Sequence, residues 1–318
     1  MAFQLLRALL DYDVIGLQTL RDRRNFLQCV RTLIPDAEVA GKGSVLTVKI
    51  PGRELRVGVF PISIDYNTHV KHAAAEPVRA ELERLRAALP NRQLLLGIDR
   101  LDYTKGIPHR LAAFRHVLTR YPELHEKVTL IQVVVPSRES IPRYHELKVE
   151  IERLVGEING QFTHPGGWVP IHYVFRHLSR VELLAYYRTA QIALVTPLKD
   201  GMNLVAKEYC ACSLEEDCVL ILSEFAGAAA QLQRGALLVN PYDIEGAADA
   251  IYRAYTMPLE ERRLRMRRLR RSIREYDIFW WANSFLKAAI SRDLSAFPLP
   301  EDYIPRTDLG QMPWLTEP

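Results

Sequence analysis

The stretch LVTPLKDGMNLVAKEY, residues 194–209, begins as an apolar run and ends as an amphipathic one, with a polar turn at 199–203 between them. It reads as a buried strand, a tight turn and a helix. Gly201 lets a backbone approach a ligand closely. Asn203 suits the N-cap position, and the free N–H groups of the following residues suit phosphate. Asp200 lies too near that anion site to be a phosphate ligand and is better placed to accept hydrogen bonds from sugar hydroxyls. Glu208, about one turn into the helix, can hold a vicinal diol such as a ribose. The alternative is that Asp200 caps the helix and Glu208 is solvated.

Working outward, the same strand-to-helix unit recurs. Continuous apolar runs at 13–19, 56–62, 93–99, 128–135, 171–175, 192–197, 218–224 and 236–241 predict strands covered on both faces, as in parallel sheets. Helical patterns fall at 77–88, 107–120, 141–158, 180–189, 203–213, 244–256 and 259–275. In the third of these, Tyr144, Leu147, Ile151, Leu154, Val155 and Ile158 share one face. The alternation predicts an α/β doubly wound sheet with short connections. Residues 1–58 differ, with one or two strands, a helix near 20–33 and a hairpin at 43–60. The tail after about 297 is Pro-rich and reads as extended.

Ligands of such sheets bind beyond the carboxyl ends of the strands, which selects 100–106, 136–139, 198–203 and 224–227. Arg100 and Lys105 stand in one such loop, before a Gly-Ile-Pro helix start, and make a good diphosphate site. A solvated loop with Arg100 paired to Asp99 or Asp102 is the plainer alternative. Arg138 follows another strand, as a second anion site or as a surface partner of Glu139. The turn in SEFAGAAAQL, 223–232, carries no chemistry of its own. Neither GxGxxG nor GxxxxGK[ST] occurs.

Composition sets bounds on function. The 318 residues carry a net charge of +4, too mild to imply nucleic acid and compatible with an anionic small molecule. The Arg-rich stretch 260–275 has an apolar stripe at Met266, Leu269 and Ile273, so it reads as an amphipathic helix with a basic solvent face. Cys210, Cys212 and Cys218 form no CxxC pair and have no nearby His, which favours buried thiols in a reducing compartment over a metal site. The first residues are too short and too interrupted for a signal peptide, and no apolar run is long enough to span a bilayer. The expectation is a cytoplasmic protein with no membrane and no nucleic-acid partner.

The stretches DYDVIGLQT, RLDYTKGI, VPSRE, EINGQF, TPLKDGMNLVAKEY, SEFAGAA and VNPYD, in this order over roughly residues 10–290, resemble the trehalose-6-phosphate synthases, the retaining glycosyltransferases of family 20. The resemblance implies a GT-B architecture of two Rossmann-like domains: a complete C-terminal one holding the nucleotide sugar, and only a remnant of the N-terminal acceptor domain. The implied boundaries are 1–58 for the remnant, 59–275 for the nucleotide-sugar domain, 276–296 for a C-terminal helix and 297–318 for the tail.

The implied reaction moves glucose from UDP-glucose to glucose 6-phosphate, with Arg100, Lys105 and Asp200 as catalytic residues and no cofactor or metal. Arg100 and Lys105 contact the donor diphosphate. Leu204, Val205, Ala206 and Lys207 line it and the nucleoside through the helix N-terminus. Asp200 with Gly201, Met202 and Asn203 holds the glucose, Glu208 the ribose, and Leu178 the uracil through main chain. Arg138 matches the residue that reaches the acceptor phosphate. On the order of 150–200 residues of the family's N-terminal domain have no counterpart here, including most acceptor contacts. Glucosylglycerol-phosphate synthesis, a non-catalytic nucleotide-sugar module, a complementing chain and a homo-oligomer therefore stand as alternatives.

Overall fold

The computed structural model describes residues 2–138, 140–164, 167–291, 294, 297 and 301–303. Most of the expected tail, 297–318, therefore lies outside the described residues, as does Glu139, the alternative partner of Arg138.

The chain opens with α1 (Ala2–Leu9), β1 (Val14–Leu17), α2 (Leu20–Leu33), β2 (Glu38–Ala40), β3 (Val45–Ile50) and β4 (Arg53–Val59). β1 pairs parallel with β4, and β3 pairs antiparallel with both β4 and β2, giving the order β1-β4-β3-β2. The run at 56–62, expected as a parallel strand, is thus parallel to one neighbour and antiparallel to the other. The β3–β4 turn is Pro51-Gly52, with Gly52 at a φ of 76° that favours glycine. α2 starts at Thr19, whose hydroxyl accepts the Asp22 N–H, and Leu27 and Val30 bury against Val48, Leu55 and Val57. α1 carries no start or stop signal that marks it as a helix. It forms because Leu6 and Leu10 close the same small core.

After a connection at 60–65 come α3 (Tyr66–Ala73), α4 (Glu76–Ala88), β5 (Gln93–Arg100), α5 (Ile107–Arg120), β6 (Val128–Val135), α6 (Pro142–Phe162), β7 (Ile171–Phe175) and α7 (Arg180–Thr189). Then follow β8 (Ile192–Val195), α8 (Leu204–Cys212), β9 (Val219–Ser223), α9 (Ala228–Leu232), β10 (Leu237–Val239), α10 (Ile244–Thr256), α11 (Leu259–Glu275) and α12 (Ile278–Ile290). Six strands form one all-parallel sheet ordered β10-β9-β8-β5-β6-β7. Counted within this sheet, that is the 3-2-1-4-5-6 doubly wound order, and its topological switch point lies between β5 and β8.

The strands read as unbroken apolar runs because each face is covered. Leu94, Leu96, Ile98, Ala193, Val195 and Leu220 join the core beneath α7, α8 and α11. Leu95, Ile192, Leu194 and Ile221 join the core beneath α5, α6 and α10. In α11, Met266, Leu269 and Ile273 are buried as the stripe predicts. Not all of its arginines face solvent, however. Arg270 donates to the carbonyls of Cys210, Ala211 and Ser213, and Arg262 to those of Met257 and Tyr255, so each closes the C-terminal carbonyls of a neighbouring helix.

α12 lies inside the expected 276–296 and returns to the first sheet. Phe285 packs edge-on to Phe60 at 5.2 Å, Arg56 donates to the Ala288 carbonyl, and the Trp281 indole donates to the Phe60 carbonyl at 3.0 Å. Among the described residues no helix is long and apolar enough to cross a membrane.

Candidate functional site

The switch point brings together the loops after β5 and β8. Asp102 accepts from the Thr104 N–H and hydroxyl, each at 2.8 Å, and so nucleates the 3-10 turn Tyr103–Lys105. Gly106 ends that turn at a φ of 64°, where a Cβ would stand 2.7 Å from the Thr196 carbonyl oxygen. The Leu198 N–H donates to the Thr104 carbonyl at 2.8 Å, fastening one loop to the other. The Lys105 ammonium consequently meets the Asp200 carboxylate at 2.6 Å, with both side chains 16% exposed. In the sequence these two residues fall to different parts of the expected ligand, and their spacing carries no sign that they pair.

Asp200 is held from all sides. Its carboxylate accepts the Met202 N–H at 3.2 Å and the Asn203 amide at 3.1 Å. Its own N–H donates to the Phe225 carbonyl, and its carbonyl accepts the Gly227 N–H at 3.0 Å. These bonds make an isolated parallel bridge, Asp200 to Ala226, beyond the ends of β8 and β9. Gly227 is required there, because a Cβ would fall 2.0 Å from the Gly201 carbonyl oxygen. The SEFAGAA turn thus braces Asp200. The N-cap of α8 is Asn203, in a left-handed conformation with φ 82°, and its side chain accepts the Ala206 N–H at 3.1 Å. Asp200 is therefore not the helix cap, and the first N–H groups of α8, on Leu204 and Val205, have no partner within the helix.

Arg100 is exposed at the end of β5. Its alternative partners are otherwise engaged: Asp102 in the turn, and Asp99 with Arg110 at 2.7 Å. Arg110 also donates to Thr196 at 3.0 Å and Gln132 at 3.2 Å, forming a buried polar floor beneath both loops. Burial pushes the Asp99 carboxyl up, against the pull of the Arg110 guanidinium.

Glu208 is not merely solvated. The buried Tyr187 hydroxyl donates to its Oε2 at 2.9 Å, and His69 Nε2 stands 4.0 Å from its Oε1. The Lys207 side chain turns away from the start of α8. It is wholly buried and its ammonium donates to the Ile62 carbonyl at 2.8 Å. Burial lowers its pKa to about 7.

Leu178 stands in the loop between β7 and α7, packed on the core beside Ser179, which forms a capping box with Glu182. Arg138 is exposed after β6 at a φ of 49° and donates to the Tyr144 hydroxyl at 3.3 Å. Tyr144 in turn meets Tyr103 edge-on at 5.9 Å, and Arg143 lies 4.1 Å over the Tyr103 ring. Arg143 and His69 carried no sequence signal, since an exposed Arg and a helical His are ordinary in isolation. Among the described residues no group of three or more His, Cys, Asp or Glu is placed to hold a metal ion.

Comparison with known proteins gives the same family on every count. The family model described as Glycosyltransferase family 20 matches residues 2–291. The chain is 44% identical over 290 residues to the trehalose-6-phosphate synthase of Mycobacterium avium (strain 104), covering 90% of this chain and 58% of that protein. It is 43% identical, with the same coverage, to the enzyme of that name from Mycolicibacterium paratuberculosis.

Among solved structures, a UDP-forming α,α-trehalose-phosphate synthase from Burkholderia xenovorans in complex with glucose-6-phosphate superposes with a TM-score of 0.85 at 37% identity, over 90% of this chain and 63% of that one. The E. coli protein bound with UDP-2-fluoro glucose gives 0.84 at 39% identity, over 90% and 62%. The chain thus spans somewhat under two thirds of the length of these relatives. The fold is that of a GT-B glycosyltransferase, with the six-stranded lobe complete and a partial N-terminal lobe, and the chain belongs to glycosyltransferase family 20.

Proposed function

We propose that this chain supplies the nucleotide-sugar side of a retaining glucosyltransferase. The reaction moves glucose from UDP-glucose to glucose 6-phosphate and yields α,α-trehalose 6-phosphate and UDP. One observation carries the reading: Lys105 and Asp200 meet at 2.6 Å beside the N-terminus of α8, at the sheet's switch point. A cation and free helix N–H groups suit a diphosphate, and a carboxylate one step away suits sugar hydroxyls. The relatives' names and the ligands of the two solved structures agree with these substrates.

In this reading Arg100, Lys105 and the N–H groups of Leu204 and Val205 hold the diphosphate. As the bond from the glucose C1 to the UDP oxygen breaks, its electron pair moves onto UDP, and these groups stabilise the charge that develops there. Asp200 with the 201–203 backbone holds the glucose, Glu208 the ribose and the Leu178 main chain the base. Ala206 and Lys207 contribute to the helix that forms this cradle rather than through their side chains. Arg138 takes the acceptor phosphate, and the acceptor hydroxyl enters on the face that UDP leaves, its oxygen bonding to C1 as its proton passes to the departing UDP oxygen.

A second reading is a nucleotide-sugar-binding module without transfer, for which the donor cradle at the switch point would suffice.

Calorimetric titration with UDP tests the donor site. Lys105→Ala and Arg100→Ala should each weaken binding by about tenfold, the scale of one charge-assisted hydrogen bond. Absence of binding to the folded chain, or unchanged binding in both variants, rejects the assignment. A product assay separates the two readings, since trehalose 6-phosphate formed at the rate of a full-length relative rules out the module.

A further inference from the structure

His69 belongs to α3, outside every loop of the switch point, yet its ring faces the carboxylate read above as the ribose acid. The His69 Nδ1 lies 2.9 Å from the Asp65 carbonyl oxygen. A carbonyl only accepts, so Nδ1 carries the proton and donates. In the neutral ring this leaves Nε2 as a lone-pair acceptor.

Glu208 is similarly committed on one side. Its Oε2 accepts the Tyr187 hydroxyl at 2.9 Å, which leaves Oε1 with open acceptor capacity. Nε2 and Oε1 stand 4.0 Å apart, too far for a direct hydrogen bond, on side chains that are 19% and 24% exposed. Two acceptors therefore face one partly open gap, each fixed from behind by a buried or backbone partner.

A ligand with two adjacent hydroxyl donors satisfies both acceptors. We propose that His69 completes the ribose subsite: Nε2 accepts one hydroxyl of the donor's vicinal diol while Glu208 Oε1 accepts the other, making the pair a reader of ribonucleotide over deoxyribonucleotide. The proposal rests on the reading of Glu208 as the ribose acid. It gives α3 a part in donor recognition and gives Tyr187 the role of a positioning residue that holds Glu208 in register.

The test is calorimetry of the full chain with UDP and with 2′,3′-dideoxy-UDP, on the wild type and on His69→Phe, His69→Gln and Glu208→Gln. The wild type should prefer UDP. His69→Phe should cut that preference by about threefold to tenfold, the worth of one neutral hydrogen bond, while leaving dideoxy-UDP affinity unchanged. His69→Gln, which keeps an acceptor near the Nε2 position, should restore much of the preference even if the phenyl ring perturbs packing. If the His69 variants keep the wild-type preference while Glu208→Gln loses it, His69 is overturned and the ribose role of Glu208 stands. If all variants keep it, both assignments fall.

Discussion

Lys207 on α8 and Ile62 in the connection between the two sheets are joined by a 2.8 Å hydrogen bond from ammonium to carbonyl. The N–H of the same Ile62 donates to the Gln18 side chain, beyond the end of β1, also at 2.8 Å. One residue of the connection is thus gripped from both sheets, through groups 145 and 44 positions away in sequence.

Lys207 makes stability depend on pH. An unfolded lysine titrates at about 10.4, whereas burial holds Lys207 in the fold at about 7. Between those values the unfolded chain binds the extra proton, so the fold gains stability as pH rises through this window, by at most about 1.4 kcal/mol per unit. Lys207→Met removes the group. Urea denaturation at pH 7 and pH 9 should show wild-type stability rising relative to the variant, and equal pH profiles would refute the buried titration.

The floor beneath the site should be intolerant of single changes. Arg110 and Asp99 are 1% and 4% exposed, and Arg110→Leu leaves a buried carboxylate without its cation. The expected loss is about 3–5 kcal/mol, measured by denaturant unfolding. Combining Arg110→Leu with Asp99→Leu removes both charges and should recover part of it. A double variant as unstable as the sum of the singles would show that the pair does not act as a unit.

Two glycines of the turn should separate folding from binding. Gly227→Ala places a Cβ 2.0 Å from the Gly201 oxygen, while Gly201→Ala meets nothing within 4 Å. The first should cost about 1–3 kcal/mol by overpacking. The second should change stability by no more than about 0.5 kcal/mol, yet weaken UDP-glucose binding if the sugar lies against that backbone. Thermal unfolding with UDP-glucose titration distinguishes the two, and equal destabilisation by both would contradict the geometry.

The thiols should divide by environment. Cys29 is exposed, whereas burial pushes Cys212 and Cys218 up to about 12 and Cys210 well above its ordinary value. A thiol reagent at neutral pH should modify Cys29 alone in the native protein and all four after denaturation, because the thiolate is the reactive species. Rapid native labelling of Cys210 would show that α8 opens far more readily than its packing implies.

The parallel sheet was legible because apolar runs such as 93–99 and 128–135 have no polar face, and the helix between 203 and 213 because Asn203 marks its start. The loops that meet at the switch point were legible as strand ends. What was not legible depends on partners distant in sequence. Nothing adjacent to Lys207 says that it turns inward to Ile62, and nothing near Arg110 names Asp99 and Thr196 as its partners. The return of α12 over the first sheet depends on a gap beside Gly16 that only the folded chain creates, where a Cβ would touch the Phe285 ring at 2.9 Å. His69 was missed because a lone helical histidine acquires meaning only from what it faces.

The isolated bridge between Asp200 and Ala226 has a mechanical consequence. By sequence Asp200 sits in a connecting turn, the class of segment that samples many conformations and must be immobilised when a ligand arrives. Here its amide and carbonyl are both locked to the backbone of the turn after β9, so the residue is held at both of its main-chain groups. The freedom that a loop acid would surrender at each encounter was surrendered once, when the chain folded, and a ligand meets a carboxylate whose direction is already set.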